Sequence, residues 1–219
     1  QSINQSCWDS CAGLSNPFVS YDFLLSLEES GCVSNKTGWM PFHLIVNDNN
    51  NNLVACSPLY LKSHSQGEYV FDHNWANALE SAGGDYYPKL IAAIPFSPVS
   101  GPRLLIGDSD NEEKLKKIML DKLIEIAKNN NFSSIHINFT KKRDNTFLNK
   151  SSFLERTGIQ FHWKNNLYAS FDQFLMSLSS RKRKSIIKER KNSLQNNLEI
   201  FTFTGEDIKK EHLKAFYNF

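Results

Sequence analysis

Titratable side chains are concentrated between Lys62 and Asp72, in the stretch Lys-Ser-His-Ser-Gln-Gly-Glu-Tyr-Val-Phe-Asp. His64 is the best candidate for a general base, because an imidazole changes its charge close to neutral pH. Glu68 or Asp72 is a candidate partner to orient that ring, and Asp72 is itself a catalytic candidate. Such groups can take a proton from a reacting group. The alternative is an ordinary hydrated hairpin.

Candidate ligand-binding side chains surround the same stretch. Lys62 ends the preceding predicted strand, where a positive charge can bind a ligand, and Tyr69 and Trp75 can stack on a sugar or a base. Aromatic residues belong more often to a hydrophobic core, and that alternative stays open. Together with His64, these residues predict a ligand-binding pocket.

The segment from Phe96 to Arg103 is a second candidate site, because it follows a continuously apolar strand. Arg103 can bind a carboxylate or a phosphate bidentately; the alternative is a helix cap or a surface ion pair. The segment reads Phe-Ser-Pro-Val-Ser-Gly-Pro-Arg, and its prolines remove amide donors that a phosphate-binding turn requires. We therefore predict that this part of the chain binds no acyl-CoA.

Polar residues also alternate with aromatic ones in a predicted strand at residues 159–168. Gln160 and His162 share one face, and Phe161 and Trp163 share the other, because side chains alternate along a strand. The polar pair would face a cleft or solvent. His162 is therefore a third catalytic candidate, and Gln160 is a candidate substrate ligand.

Positive charge is concentrated near the end of the sequence. Residues 179–191 contain seven basic residues and one acid, in a chain whose net charge is +2. The candidate ligands in this segment are Arg181, Lys182, Arg183 and Lys184. A basic stripe on one helix can follow the phosphates of a polyanion such as tRNA. A solvated helix face is the alternative.

The four cysteines predict no metal centre. Cys7 and Cys11 are four apart, which suits one helix face and not a zinc site, since no second close pair of ligands follows. Cys32 and Cys56 lie in apolar sequence and are predicted to be buried. Reduced thiols, and the lack of an apolar run of about 18 residues, predict a cytoplasmic protein without a transmembrane segment. An upstream targeting segment stays open.

The apolar periodicity predicts a mixed α/β (α+β) chain. Predicted strands cover residues 42–46, 53–61, 89–96, 133–139 and 159–168, and predicted helices cover residues 21–30, 74–82, 112–129 and 145–156. This order resembles the GNAT acyltransferase fold, in which a mixed sheet splays open at its centre to admit a thioester or ester donor.

The chain is predicted to contain three regions. Residues 1–170 form an N-terminal GNAT-like unit, and residues 171–197 form a basic linking helix. Residues 198–219 are the start of a truncated second GNAT-like unit, because a strand followed by a helix is how such a unit would begin. The chain thus contains the first unit of a predicted tandem pair.

Several motifs are too specific to be explained as generic core. They include Gly38-Trp39-Met40-Pro41-Phe42-His43-Leu44, Gly67-Glu68-Tyr69-Val70-Phe71-Asp72, Tyr86-Tyr87-Pro88-Lys89-Leu90, the proline-rich run from Pro95 to Leu105, Gln160-Phe161-His162-Trp163, and Ser179 to Lys184. Together they resemble the FemAB-like family of predicted N-acyltransferases, associated with peptidoglycan biosynthesis or recognition. The resemblance implies two GNAT-like units, as in the peptidyltransferases that use aminoacyl-tRNA. Full members are longer, so this chain resembles their N-terminal portion. The resemblance carries over no catalytic residue.

These observations predict acyl or aminoacyl transfer to an amino group of a small-molecule or peptidoglycan-type acceptor. The donor, acyl-CoA or aminoacyl-tRNA, is expected to bind through the missing second unit. The 219-residue chain alone is therefore expected to bind ligand weakly and to turn over nothing. Two alternatives stay open: a non-catalytic ligand-recognition module, and nucleic-acid or tRNA binding through the basic helix.

Overall fold

A computed structural model describes residues 3–151, 153–193 and 199–219. The chain divides into two compact units, residues 1–159 and residues 160–219. Every strand found in the described residues belongs to the first unit, where strands and helices together form a mixed α/β fold. The predicted fold class is confirmed, and the architecture is consistent with an acyltransferase-like fold. The predicted region boundaries stay predictions, and residues 194–198 lie outside the described residues.

The first unit contains five α-helices and seven strands among its described residues. Its helices are α1 (Gln5–Ala12), α2 (Tyr21–Glu29), α3 (His73–Ser81), α4 (Glu112–Asn129) and α5 (Lys142–Lys150). Its strands are β1 (Trp39–Pro41), β2 (Leu44–Asn47), β3 (Leu53–Ser57), β4 (Leu59–Lys62), β5 (Lys89–Ala92), β6 (Leu105–Ile106) and β7 (Ile135–Ile137). The second unit contains α6 (Phe171–Ser177), α7 (Ser180–Ser193) and α8 (Lys210–Tyr217).

The strands form two sheets that share one long hairpin. A mixed sheet has the order β1-β4-β5-β7, in which only β5 and β7 are parallel, and an antiparallel sheet has the order β2-β3-β6. The hairpin enters both sheets because it is interrupted at His43 and at Pro58, which has no N–H to donate. His43 Nδ1 accepts a hydrogen bond from the Leu59 N–H at 3.2 Å, so a side chain replaces a backbone acceptor at the break.

The main hydrophobic core lies between α4 and the mixed sheet. Met119 and Leu123 of α4 pack in one cluster with Leu59 of β4 and Leu90 of β5, and all four are fully buried. The apolar residues of α4 recur at helical spacing, as predicted. Every residue of β5 is buried, and its first residue is Lys89. The core therefore encloses a cationic side chain that must be paired.

The second unit differs from the sequence prediction. Residues 159–168, predicted to be a strand, have no regular secondary structure, and Phe161 and Leu167 are exposed. An alternating apolar pattern forms a strand only where a neighbouring strand accepts its hydrogen bonds, and none pairs with these residues in the described structure. The described part of the predicted helix at residues 171–197 is divided into α6 and α7. No strand is present at residues 199–203 either.

All four cysteines are free thiols. Cys56 is buried, as predicted, whereas the prediction that Cys32 is buried is wrong. Cys32 follows Gly31 in the turn after α2, and its side chain is exposed. In the described ranges, no helix has the length and apolar character needed to cross a membrane.

Candidate functional site

A buried lysine, Lys89, lies at the centre of the candidate site. Its Nζ donates hydrogen bonds to Asp72 Oδ2 at 2.6 Å, to Ser65 Oγ at 2.9 Å and to Glu68 Oε2 at 3.0 Å. Tyr86 donates its hydroxyl hydrogen to the same Asp72 oxygen at 2.8 Å. The side chains of Lys89, Glu68 and Asp72 are fully excluded from solvent. We call these five residues the Lys89 cluster.

The backbone holds this cluster from two sides. Lys89 begins β5 and lies directly opposite Lys62 of β4 in the antiparallel register. Glu68 comes from the loop of residues 63–71, and Asp72 is the residue immediately before α3. Like charges opposite one another on a sheet repel. The two carboxylates therefore compensate for a repulsion that the strand register creates.

Lys62 has a different environment from Lys89. Its Nζ lies 3.8 Å from the centre of the Trp39 ring and donates to the Gln66 carbonyl oxygen at 3.1 Å. Burial lowers the pKa of Lys62 to about 7, although the attraction of Glu68 acts in the opposite direction. The side chain is buried, so a ligand reaches this predicted substrate-binding residue only if neighbouring residues move.

The two carboxylates of the Lys89 cluster have opposite pKa shifts. Burial raises the pKa of Glu68, and the attraction of Lys89 compensates only in part. Burial also acts to raise the pKa of Asp72, but hydrogen bonds, led by that from Lys89, hold it well below its ordinary range. Glu68 Oε1 and Asp72 Oδ1 have no hydrogen-bond partner among the described residues. Glu68 is thus better suited to take up a proton, and Asp72 stays ionised.

Three side chains at this site carry atoms that could bind a metal ion. Glu68, Asp72 and His136 offer atoms that lie within 4.8 Å of one another. Burial lowers the pKa of His136 to about 4, which keeps its ring neutral. Lys89 already binds both carboxylates, and Lys62 adds a second cationic group, so a divalent cation would have to displace an ammonium group. The geometry favours the internal ion pair, and the absence of a metal stays a prediction.

The candidate base His64 lies beside the Lys89 cluster. Its Nδ1 accepts a hydrogen bond from the Gln66 backbone N–H at 3.2 Å. The ring lies against Gly38, where an added Cβ would come within 2.2 Å of Nε2. Among the described residues, His64 makes no hydrogen bond or ion pair with either carboxylate of the cluster. Burial lowers its pKa, so the ring is neutral near pH 7 and can accept a proton.

Three aromatic side chains next to the cluster are exposed. Tyr69, Phe71 and Trp75 have exposed fractions of 49%, 76% and 66%. The guanidinium carbon of Arg156 lies 5.9 Å from the centre of the Trp75 ring, and its Nη2 donates to the Phe71 carbonyl oxygen at 3.3 Å. We call these four residues the aromatic platform. The two predicted ligands, Tyr69 and Trp75, are therefore accessible and do not belong to the core.

Arg103 is buried, with an exposed fraction of 1%. Its Nη1 donates to the Pro102 carbonyl oxygen at 3.0 Å, its Nη2 donates to the Val99 carbonyl oxygen, and its Nε has no partner in the described structure. Burial lowers the pKa of Arg103 to about 10. Gly101 makes room for this arrangement, since a Cβ there would lie 3.2 Å from Arg103 Nη1 and 2.2 Å from Asn16 Nδ2. Arg103 thus fixes the proline-rich loop.

The structure places the remaining candidates in the second unit. Gln160 and His162 are exposed, and His162 Nε2 lies 3.3 Å from Gln160 Oε1. The shared strand face that was predicted for them is absent, because residues 159–168 form no strand. Trp163 does not share an apolar strand face with Phe161; it makes an edge contact with Phe174, with ring centres 6.0 Å apart.

The basic segment forms α7, which has no buried residue. Arg183 donates through Nη2 to the Leu178 carbonyl oxygen at 3.1 Å, and the Arg190 guanidinium lies 4.6 Å from the Phe171 ring centre. These two residues therefore lie on the side of α7 that contacts α6 and its flanking residue. Four exposed cations, spaced by three or four residues, are free of ion pairs in the described structure: Arg181, Lys184, Lys188 and Lys191. We call these four the basic stripe. Lys182 is also exposed.

The mixed α/β architecture is consistent with an acyltransferase-like fold. A family model, FemAB-like, described as peptidoglycan biosynthesis and recognition, matches residues 1–219. The chain belongs to this FemAB-like family. No curated protein and no solved structure matches it significantly.

Proposed function

We propose that this protein is an N-acyltransferase that transfers an acyl or aminoacyl group to an amino group of a peptidoglycan-type acceptor. The observation that carries the proposal is the family match, which covers the whole chain. The Lys89 cluster supports it, because buried carboxylate oxygens without partners are acceptors for the N–H groups of an amine. A GNAT-like tandem architecture is part of the same proposal.

Glu68 has the central chemical role in this proposal. The acceptor nitrogen attacks the acyl carbonyl carbon, a C–N bond forms, and the bond to the donor oxygen or sulfur breaks. Glu68 Oε1 takes the proton that the nitrogen loses, and the proton then passes to the leaving group. Asp72 stays ionised and holds Lys89 in place. Because the cluster is buried, residues 63–67 must shift to admit the acceptor, while Glu68 and Asp72 keep their hydrogen bonds with Lys89.

The donor is proposed to bind outside the proline-rich loop. Arg103 is occupied by the carbonyl oxygens of Val99 and Pro102, so it does not offer a free guanidinium to a phosphate. The prolines of this loop also lack the amides that grip a pyrophosphate. Acyl-CoA or aminoacyl-tRNA is therefore proposed to bind through a second GNAT-like unit.

The proposal is tested by mass spectrometry of a soluble cell-wall precursor after incubation with protein and donor. Acetyl-CoA, a longer acyl-CoA and charged bulk tRNA are the donors, and the natural gene product is assayed beside the 219-residue chain. We expect the precursor to gain the mass of one acyl or aminoacyl group with one donor. Precursor binding without a mass gain from any donor would contradict the proposal and favour the ligand-recognition module.

A second candidate function, binding of a polyanion such as tRNA, is favoured by the basic stripe. The second unit contains eleven Lys and Arg against six Asp and Glu. Four exposed cations on one face of a helix can contact successive phosphates without first breaking ion pairs. Such binding weakens steeply with salt, because each contact releases condensed counterions. This activity is compatible with transfer from aminoacyl-tRNA.

Changing the four residues of the basic stripe to glutamine is expected to weaken tRNA binding. The slope of log affinity against log salt should become shallower by about three, since each lost contact removes about 0.7 from it. Filter binding measures this slope between about 50 and 300 mM KCl, roughly the range over which salt weakens such binding strongly. The matched control changes Lys164, Lys209, Lys210 and Lys214, four exposed cations of the same unit. An equal loss in both variants would show only a general charge effect.

A further inference from the structure

The loop of the aromatic platform is anchored by hydrogen bonds on Lys89 and from Arg156. Tyr69 and Phe71 have φ angles of 59° and 51°, a left-handed conformation that is unfavourable for residues with a bulky side chain. The loop that adopts it is anchored by Glu68 and Asp72 on Lys89. On the other side, Arg156 binds the Phe71 carbonyl oxygen. Anchored strain at an exposed site indicates that the exposed ring positions serve a purpose beyond packing.

The chemistry of the platform fits a sugar ring. Exposed aromatic faces attract the weakly positive C–H groups of a pyranose, and the guanidinium of Arg156 can donate hydrogen bonds to hydroxyl, acetamido or carboxylate oxygens. The platform is interrupted by polar residues, His73 and Asn74, both exposed. This mixture of rings and hydrogen-bonding groups differs from the continuous apolar surface that a stable protein interface buries.

We propose that the aromatic platform binds the glycan portion of the acceptor, with Trp75 and Phe71 stacking on successive pyranose rings and Arg156 donating hydrogen bonds to their substituents. This inference rests on the proposed function, since it takes the acceptor to be of the peptidoglycan type that the family description states. It places the amino-sugar part of the acceptor on the platform and leaves the reacting amine for the Lys89 cluster. The affinity of the acceptor then comes mainly from its saccharide part.

The test is isothermal titration calorimetry of the 219-residue chain with chitotetraose, a soluble amino-sugar oligosaccharide. Trp75→Ala is expected to weaken binding about tenfold or more, which corresponds to about 1.4 kcal/mol. Arg156→Met should cause a smaller loss. Leu79→Ala is the matched control, because Leu79 is also exposed on α3, one turn after Trp75. The affinity of this variant for chitotetraose should equal that of the wild type. Since Trp75 is largely exposed, the variants are expected to keep their unfolding temperature.

Equal affinities of wild type and Trp75→Ala would overturn the inference, as would the absence of binding heat at millimolar chitotetraose. A self-association that Trp75→Ala abolishes, with no oligosaccharide binding, would show that the platform is an interface between two copies. Acylation of a sugar-free stem peptide distinguishes the proposed transferase activity from the proposed glycan site. If this peptide is acylated as fast as the complete precursor, the transferase stands and the glycan site does not.

Discussion

Replacing Lys89 with methionine is expected to destabilise the protein by about 3–5 kcal/mol, because the variant keeps two buried carboxylates without their counter-charge. Methionine keeps most of the volume and removes the ammonium, so a cavity contributes little. Urea unfolding followed by circular dichroism measures the loss. The size of the effect reflects the complete burial of the ion pairs of Lys89 with Glu68 and Asp72.

The stability lost in Lys89→Met should increase as pH rises. In the variant, the pKa of each buried carboxyl rises above its unfolded value, so the native state binds more protons and stability falls as pH rises. In the wild type, the lowered pKa of Asp72 contributes stability that is present above its ordinary value of 3.8 and lost as pH falls below it. The raised pKa of Glu68 acts in the opposite direction in both proteins, and without Lys89 this pKa is raised further. The difference between the two proteins is therefore expected to be larger at pH 8 than at pH 5.

Two further variants show whether the effect belongs to the Lys89 cluster. Lys122→Met removes an exposed cation whose partner, Glu125, is also exposed, and should cost less than about 1 kcal/mol. Adding Glu68→Gln and Asp72→Asn to Lys89→Met should restore much of the lost stability, because no unpaired carboxylate then remains buried. Equal losses for Lys89→Met and Lys122→Met would contradict the ion-pair account.

The sequence was sufficient to predict the elements of the first unit where a strong local pattern existed. The spacing of Met119 and Leu123 predicted α4, and the continuous apolar run after Lys89 predicted a buried strand. Alternating patterns were less informative about secondary structure, because a strand forms only where a neighbouring strand pairs with it. Residues 159–168 alternate as a strand does, but hydrogen bonding to a neighbouring strand is not a property of the segment itself.

The candidate site was predicted only in part, for a similar reason. The titratable loop indicated Glu68 and Asp72, yet sequence spacing assigned them to His64 and not to Lys89, which is 17 residues beyond Asp72. Strand register creates that contact, and register is a tertiary property. One signal was available: a lysine at the start of a fully apolar run needs a buried partner. The burial of Arg103 was missed for a related reason. The sequence did not show that its guanidinium would be buried and bound by carbonyl oxygens of its own loop.

Glu68→Gln is expected to lower turnover of the natural gene product by about 10²-fold or more, because an amide cannot take the proton of the acceptor amine. Glutamine has nearly the same volume, and its carbonyl oxygen can still accept the hydrogen bond from Lys89. We therefore expect KM to change little while kcat falls. Since burial raises the pKa of Glu68, wild-type activity should fall as pH decreases through that raised pKa, and the variant should lack this limb.

The rival base is His64, so His64→Gln is the matched comparison. The ring of His64 is oriented by the Gln66 backbone N–H and not by a carboxylate, so among the described residues no anionic group is hydrogen-bonded to a protonated ring. We expect His64→Gln to retain most of the turnover and the acidic limb of the pH profile. If His64→Gln instead loses both while Glu68→Gln keeps them, the proton passes through His64. The Lys89 cluster would then support the loop without taking part in the proton transfer.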